Sequence, residues 1–293
     1  MSTQFTIAGG SRAAASQLDA GNFVSEIWSK KLQAKFYAAT VMSGITNTDW
    51  EGEIKTQGSK VRIRVRPDVV VSDWTVNGTI SYTSLADNVI DLLVDRAKYF
   101  AFKLDDVDRA QADINIINEA TQDAAEQMKI TIDQDVLSYA YPLATSQVAS
   151  TVVDRTSVLD WIINAGVLLD ENNIPESMRW IVLPPWICGM IKSSDLKDAS
   201  LAGDGTSILR NGRVGMIDRF EVYMSNNLAT TNAGASYECI AGSRDAITFA
   251  SQVTKTDALR LETAFSDAVR GLNVYGRLVS KPEALVHLPA TKV

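Results

Sequence analysis

Histidine is almost missing from this chain: among 293 residues there is one, His287, close to the end. A Ser-His-Asp triad would have a single candidate base, and no G-x-S-x-G nucleophile motif accompanies it. Cysteine is scarce too. Cys188 and Cys239 are the only two, far apart and in no CxxC or zinc-ligand spacing. They read as free thiols used as small buried hydrophobes, with a disulfide left open. No run of about 18 apolar residues exists, so no membrane-spanning helix is expected. The start has no charged segment followed by an apolar core, so a signal peptide is not expected and a reducing cytoplasm fits best. Positive charge is in deficit: 28 Lys and Arg against 35 Asp and Glu, net charge −7, pI about 4.9. That balance argues against a general nucleic-acid binder, which needs a cationic surface. Gly203-Asp204-Gly205 lacks the Lys-Ser/Thr of a phosphate loop and the third glycine of a dinucleotide fingerprint, so it reads as a mobile loop.

What is present has an ordinary globular composition, 46% hydrophobic and 22% charged. The length predicts two lobes, or one domain with extensions. Residues 1–21, rich in Gly, Ser, Ala and Thr, cannot bury enough surface to order themselves and read as an extended arm. A short helix is predicted from Val24 to Val41, with Ile27, Trp28, Leu32 and Phe36 on one side, Lys30, Lys31 and Lys35 on the other, and Gly44 ending it. From Asp113 to Tyr139 no Pro or Gly occurs. Ile117, Ala120, Ala124, Met128, Ile132 and Val136 recur at helical steps, opposite Glu119, Asp123, Glu126, Lys129, Asp133 and Asp135. This predicts a long amphipathic helix of roughly 40 Å, stopped by Pro142. A further helix over 157–170 should turn Leu159, Ile162, Ile163 and Val167 inward. A buried strand over Trp180–Leu183 follows, then a helix over Trp186–Ser194, and strands at Phe220–Met224, Cys239–Ala241 and Ala246–Ala250. More strand is expected within 259–280.

Residues 60–66 alternate strictly, with Val61, Ile63 and Val65 on one face and Arg62, Arg64 and Arg66 on the other. Beyond Pro67-Asp68, two runs of β-formers flank Asn77-Gly78, a strong signal for a tight hairpin turn, so 68–86 read as a long hairpin. Val70, Trp74, Ile80 and Tyr82 leave it apolar on both faces, and a two-stranded ribbon alone is marginal in water. It must fold back on its own domain or be sheltered by another molecule. The arginine row reads as a solvated face or as a partner for carboxylates of an adjoining subunit, with Glu119, Asp123 and Glu126 as the candidates. Residues 88–104 read as one long strand bent at Asp95-Arg96-Ala97-Lys98. The densest acidic cluster, Asp105-Asp106-Val107-Asp108, is not an EF-hand. It reads as solvated charge before the long helix, where the dipole favours it, and a metal-assisted hydrolase built on these three carboxylates is a remote alternative.

Two segments carry a resemblance: Ile174-Pro-Glu-Ser-Met-Arg-Trp-Ile-Val-Leu-Pro184 and Gly212-Arg-Val-Gly-Met-Ile-Asp-Arg-Phe-Glu-Val-Tyr-Met-Ser-Asn226. With Trp28-Ser-Lys-Lys-Leu32 and the stretch 47–104, they resemble the major capsid proteins of tailed bacteriophages, whose fold is that of phage Hong Kong 97. The resemblance implies an α+β fold with an N-terminal arm (1–21) and an E-loop hairpin (56–87). It also implies a P-domain (22–55, 88–150 and 251–293) holding the long spine helix (about 113–139), and an A-domain (151–250). It implies no enzyme activity and no cofactor. Copies would form hexamers and pentamers closing into an icosahedral shell around double-stranded DNA, as part of a virion assembled in the host cytoplasm. A separate scaffolding protein is implied, since the chain opens almost at once into its arm, and a portal and a possible decoration protein are the other partners the resemblance implies. No lysine occurs from Val61 to Ala97, so cross-linking through an E-loop lysine is not carried over. An encapsulin-type nanocompartment shell is the alternative within the same fold.

Overall fold

The computed structural model describes residues 37–50, 60–105 (except 68, 77, 81, 83 and 85–87), 116–194, 215–261 and 266–292; side chains at 116, 117 and 252–254 are left aside. The expected arm, most of the first expected helix, Asp106, Asp108 and the Gly203-Asp204-Gly205 loop lie outside these residues. Among them are four α-helices: α1 (Met42–Ile45), α2 (Ile116–Ala140), α3 (Val158–Glu171) and α4 (Pro185–Ser193).

The alternating segment forms β1 (Lys60–Val65), paired antiparallel with β2 (Asn88–Leu93), Arg62 opposite Asp91. Val61, Ile63, Leu92 and Val94 bury a small core against Ala250. The chain bends at Val94-Asp95 and continues as β3 (Arg96–Asp105), so the expected break divides two strands that belong to different sheets. β3 is an edge of a three-stranded antiparallel sheet with β12 (Ser266–Val279) in the middle and β11 (Ile247–Arg260) beyond. The expected short strand at 246–250 is only the start of the 14-residue β11.

The other sheet has eight strands among the described residues. Its main order is β4 (Ser146–Gln147), β13 (Leu285–Thr291), β10 (Ser236–Ser243), β6 (Arg179–Leu183), β8 (Phe220–Met224) and β7 (Met216–Ile217). β5 (Thr151–Val152) also pairs with β13, and β9 (Thr230–Thr231) with β10. β6 is buried at all five positions, as an apolar run inside a sheet requires. Asp218 and Arg219, both at positive φ, make the tight turn between β7 and β8.

The long helix runs for 25 residues, roughly 37 Å at 1.5 Å per residue, and ends in a 3-10 turn at Tyr141–Leu143 that holds Pro142. Ile132 and Val136 are buried, as their spacing predicts. Three expectations are corrected. Residues 37–41 are not helical, and Gly44 lies within the one-turn α1 rather than ending a longer helix. Asp133, expected on the solvated side of α2, is fully buried. In α3, Trp161, Ile162, Ala165 and Leu169 turn inward, while Ile163 and Val167, both expected inside, are 46% exposed. That helix is apolar on most of its circumference, so its periodicity does not select one stripe. No helix among the described residues is long and apolar enough to cross a membrane.

Candidate functional site

The residues expected to contact other subunits fall on two surfaces. The first is the loop joining β1 to β2. The expected hairpin over 68–86 is not the one observed: the paired strands are 60–65 and 88–93, and the described residues between them carry no ladder. The turn itself is present. The Gly78 amide donates to the Thr75 carbonyl at 2.8 Å, and a Cβ on Gly78 would lie 2.9 Å from Thr75 Oγ1. Asn77 lies outside the described residues. Val70, Trp74 and Tyr82 are exposed, Trp74 by 62% and Tyr82 by 93%, in company with Val69, Val71, Val76 and Ile80. Seven large apolar side chains in one loop face water, a concentration that marks an interaction surface.

At the base of the loop, Arg62 and Arg64 lie on the exposed face of β1, and Arg66, also exposed, follows just beyond its end. Arg62 lies 3.6 Å from Asp91 across the ladder, and Lys60 lies 2.9 Å from the same carboxylate. The first arginine thus has a carboxylate partner within its own chain.

The second surface is the acidic side of α2. The Tyr37 hydroxyl donates to Asp123 at 2.9 Å, and this bond, some burial and the negative charges of Asp123, Glu126 and Glu119 hold the phenol's pKa above its ordinary value. Glu126 pairs with Lys129 at 2.6 Å, one helical turn on. The three acids therefore gather round Tyr37, and two of them have partners within the chain. They and the arginine row stand on separate elements of one molecule, with no contact between the two sets among the described residues.

Other features lie away from these two surfaces. A groove of about 560 Å³ lies between α3 and the 148–157 segment, lined by Val152, Trp161, Val167 and Leu168 and rimmed by Asp154 and Asp160. Asp133 accepts hydrogen bonds from two backbone amides and from Asn227. His287 Nε2 meets Glu238 Oε2 at 2.6 Å inside the eight-stranded sheet, and Tyr141 packs on the imidazole. A cross-strand partner 49 residues away leaves no trace in local sequence. Arg179, fully buried, reaches Asp170 at 2.6 Å, and Arg219 binds Asp170 and Glu176. Cys188 and Cys239 are buried free thiols. Asp105 ends β3 on the exposed side, and no group of three His, Cys, Asp or Glu among the described residues has metal-site geometry.

The fold thus combines a long helix beside a three-stranded sheet, a larger mixed sheet and an exposed apolar loop. The chain belongs to the phage capsid protein family, whose model matches residues 91–288, more than half of the sequence. It is similar to a solved structure from Mycobacterium phage Che8, with 28% identity and a TM-score of 0.81 over 92% of this chain and 97% of that one. The capsid structure of cyanophage P-SCSP1u has the same fold at 12% identity, TM-score 0.75, over 93% and 94% of the two chains. So does the capsid of an empty GTA particle at 14% identity, TM-score 0.67, over 97% and 100%. No curated protein matches the chain. The α+β fold is therefore of the Hong Kong 97 type, and the protein is a major capsid protein that assembles with copies of itself into the shell of a virion.

Proposed function

We propose that the subunits form hexamers and pentamers of an icosahedral shell around double-stranded DNA, and that the β1–β2 loop of each lies on its neighbour. The observation that carries this reading is the row of exposed side chains from Val69 to Tyr82, left open to water among the described residues. Removing such surface from water contributes about 25 cal/mol per Å², and many weak contacts multiplied round a ring add to a stable shell while letting misplaced subunits leave. Residues 56–87 then act as the E-loop. The segments 22–55, 88–150 and 251–293 serve as the P-domain, 151–250 as the A-domain and 1–21 as the arm. Arg64 and Arg66, at the loop's base, meet carboxylates of the neighbour; Glu119 is the most open of the three candidate acids. The acidic net charge suits a container that holds DNA without gripping it. Family membership supports assembly in the host cytoplasm with scaffolding, portal and decoration proteins. It also supports the phage shell over a cellular nanocompartment.

The test is Trp74→Asp combined with Val71→Asp in the full chain. Thermal unfolding of the soluble subunit should be unchanged, because both side chains are in water there, while electron microscopy should show no closed particles. Normal particles from this variant would refute the loop's role.

A further inference from the structure

We propose that the β1–β2 loop of one copy seats in a groove on the outward face of its neighbour's three-stranded sheet, with Trp74 in the groove and Asp73 against Arg270 and Lys255. This names the seat for the docking proposed above and depends on that docking.

Strand alternation sets the face. Tyr275 and Arg277 of β12 both reach Asp135 of α2, so the odd-numbered residues of this strand face the helix and the even-numbered ones face away. At one end of the outward face, Val274 and Leu278 pack against the small core of β1 and β2. Further along, the face opens. Leu272 and Arg270 stand opposite Tyr99 and Ala101 of β3 on one side, and opposite Lys255 and Asp257 of β11 on the other. These six residues line a groove of about 470 Å³. Tyr99 is 79% exposed and Leu272 41%. Apolar surface left in water beside a covered stretch of the same face is a place for another element to pack.

Size does not choose between this groove and the one beside α3, at about 560 Å³, since both have room for an indole ring. Charge does. Between Pro67 and Asn88 the charged residues are Asp68, Asp73 and Asp87, and none is basic. The loop therefore brings apolar surface and negative charge together. The α3 groove is rimmed by Asp154 and Asp160, with no Lys or Arg lining it, and pressing like charges together at an interface is costly. On the sheet, Asp257 lies 3.4 Å from both Lys255 and Arg270. Two cations share one carboxylate there, and one positive charge is left over. Asp73 is exposed and directly precedes Trp74. A loop that lays Trp74 between Tyr99 and Leu272 brings that carboxylate within reach of the surplus charge.

The test uses the full chain. Both native cysteines are buried, so a short bis-maleimide links only introduced ones. Shells co-assembled from Ser72→Cys chains and Ala101→Cys chains should give a linked dimer that neither variant gives by itself, read on a denaturing gel. Shells co-assembled from Ser72→Cys and Val167→Cys chains, the second marking the α3 groove, should give none. Absence of the first dimer would overturn the proposal. A dimer with Val167→Cys in its place would overturn this seat and leave the loop on its neighbour, whereas normal particles from Trp74→Asp with Val71→Asp would refute the docking itself. If the cysteine chains do not assemble, charge decides. Asp73→Lys should lower particle yield about tenfold, and adding Arg270→Glu should restore most of it. Full yield from Asp73→Lys alone, or a double variant no better than Asp73→Lys, would overturn the seat.

Discussion

Arg277 of β12 and Asp135 of the long helix meet at 2.8 Å, both largely buried, and the Arg277 guanidinium lies 4.3 Å over the Tyr139 ring. The same carboxylate accepts the Tyr275 hydroxyl at 2.8 Å, and the Asp135 carbonyl also accepts from Arg277. Two residues of one strand and two of one helix thus fix the three-stranded sheet to the spine of the subunit. Burial, followed by the bond to Asp135, raises the Tyr275 pKa far above its ordinary value, so the phenol stays a donor.

Replacing Arg277 by Ala leaves the Asp135 carboxylate buried with one neutral donor. The expected loss is about 3 kcal/mol of unfolding free energy, read by denaturant titration of the soluble subunit. Arg277→Lys should recover only part, since an ammonium cannot stack on Tyr139 as a flat guanidinium does. A loss below about 0.5 kcal/mol would mean that the pair behaves as a surface contact.

Gly276 marks where the two smaller sheets touch. A Cβ there would lie 2.4 Å from the Leu93 carbonyl oxygen and 3.2 Å from Val94 Cα, both backbone. Gly276→Ala should cost about 1–3 kcal/mol, because a strand rather than a side chain must shift. At Gly271 the obstacle is the Phe100 ring, at 2.2 Å. Gly271→Ala paired with Phe100→Leu should therefore recover stability, and no second-site trimming at Leu93 should rescue Gly276→Ala. Equal rescue at both sites would contradict this.

Asp154 accepts the backbone amides of Ser157 and Thr156 and the Thr156 hydroxyl, each at 2.8 Å, just before α3. These bonds hold its pKa down at about 2, from 3.8. A depressed carboxylate stabilises the fold above its unfolded pKa, and that contribution is lost as pH falls through the folded value. Thermal melts of the wild type should therefore lose stability between about pH 4 and pH 2 more steeply than those of Asp154→Asn. Parallel curves for the two would rule this stabilising role of Asp154 out.

Burial pushes the Cys188 thiol up to about 11 and the Cys239 thiol well above its ordinary value. Neither should supply thiolate at neutral pH. A thiol reagent at pH 8 should label no cysteine in the folded subunit and two on unfolding. Rapid labelling of the native protein would contradict the burial.

Much of this fold was legible in the residues, and the failures have physical causes. The long helix follows from 27 residues without Pro or Gly and an apolar stripe that the structure buries at Ile132 and Val136. Asp133 was misread because a helical period places a residue on a side without knowing what comes to meet it, and Asn227 arrives from 94 positions away. The Asn77-Gly78 signal predicted a local ladder, whereas the observed ladder closes further out, at Val65 and Asn88, where Val61, Ile63 and Leu92 have Ala250 to pack on. A turn motif proposes a pairing, but buried area decides whether it holds. Of the candidate contact residues, the apolar loop and the arginine row were found exposed at the surface. The partners of Arg62 and Asp123 come from distant parts of the chain that no spacing rule reveals, whereas Glu126 and Lys129 are an i,i+3 pair readable from the helix.

β13 has one further consequence. It is threaded between β10 and the short strands β4 and β5, yet the ribosome makes it after all of them. Until residues 285–291 emerge, β4 and β5 have no strand of the larger sheet to pair with, and one side of β10 is left without its partner.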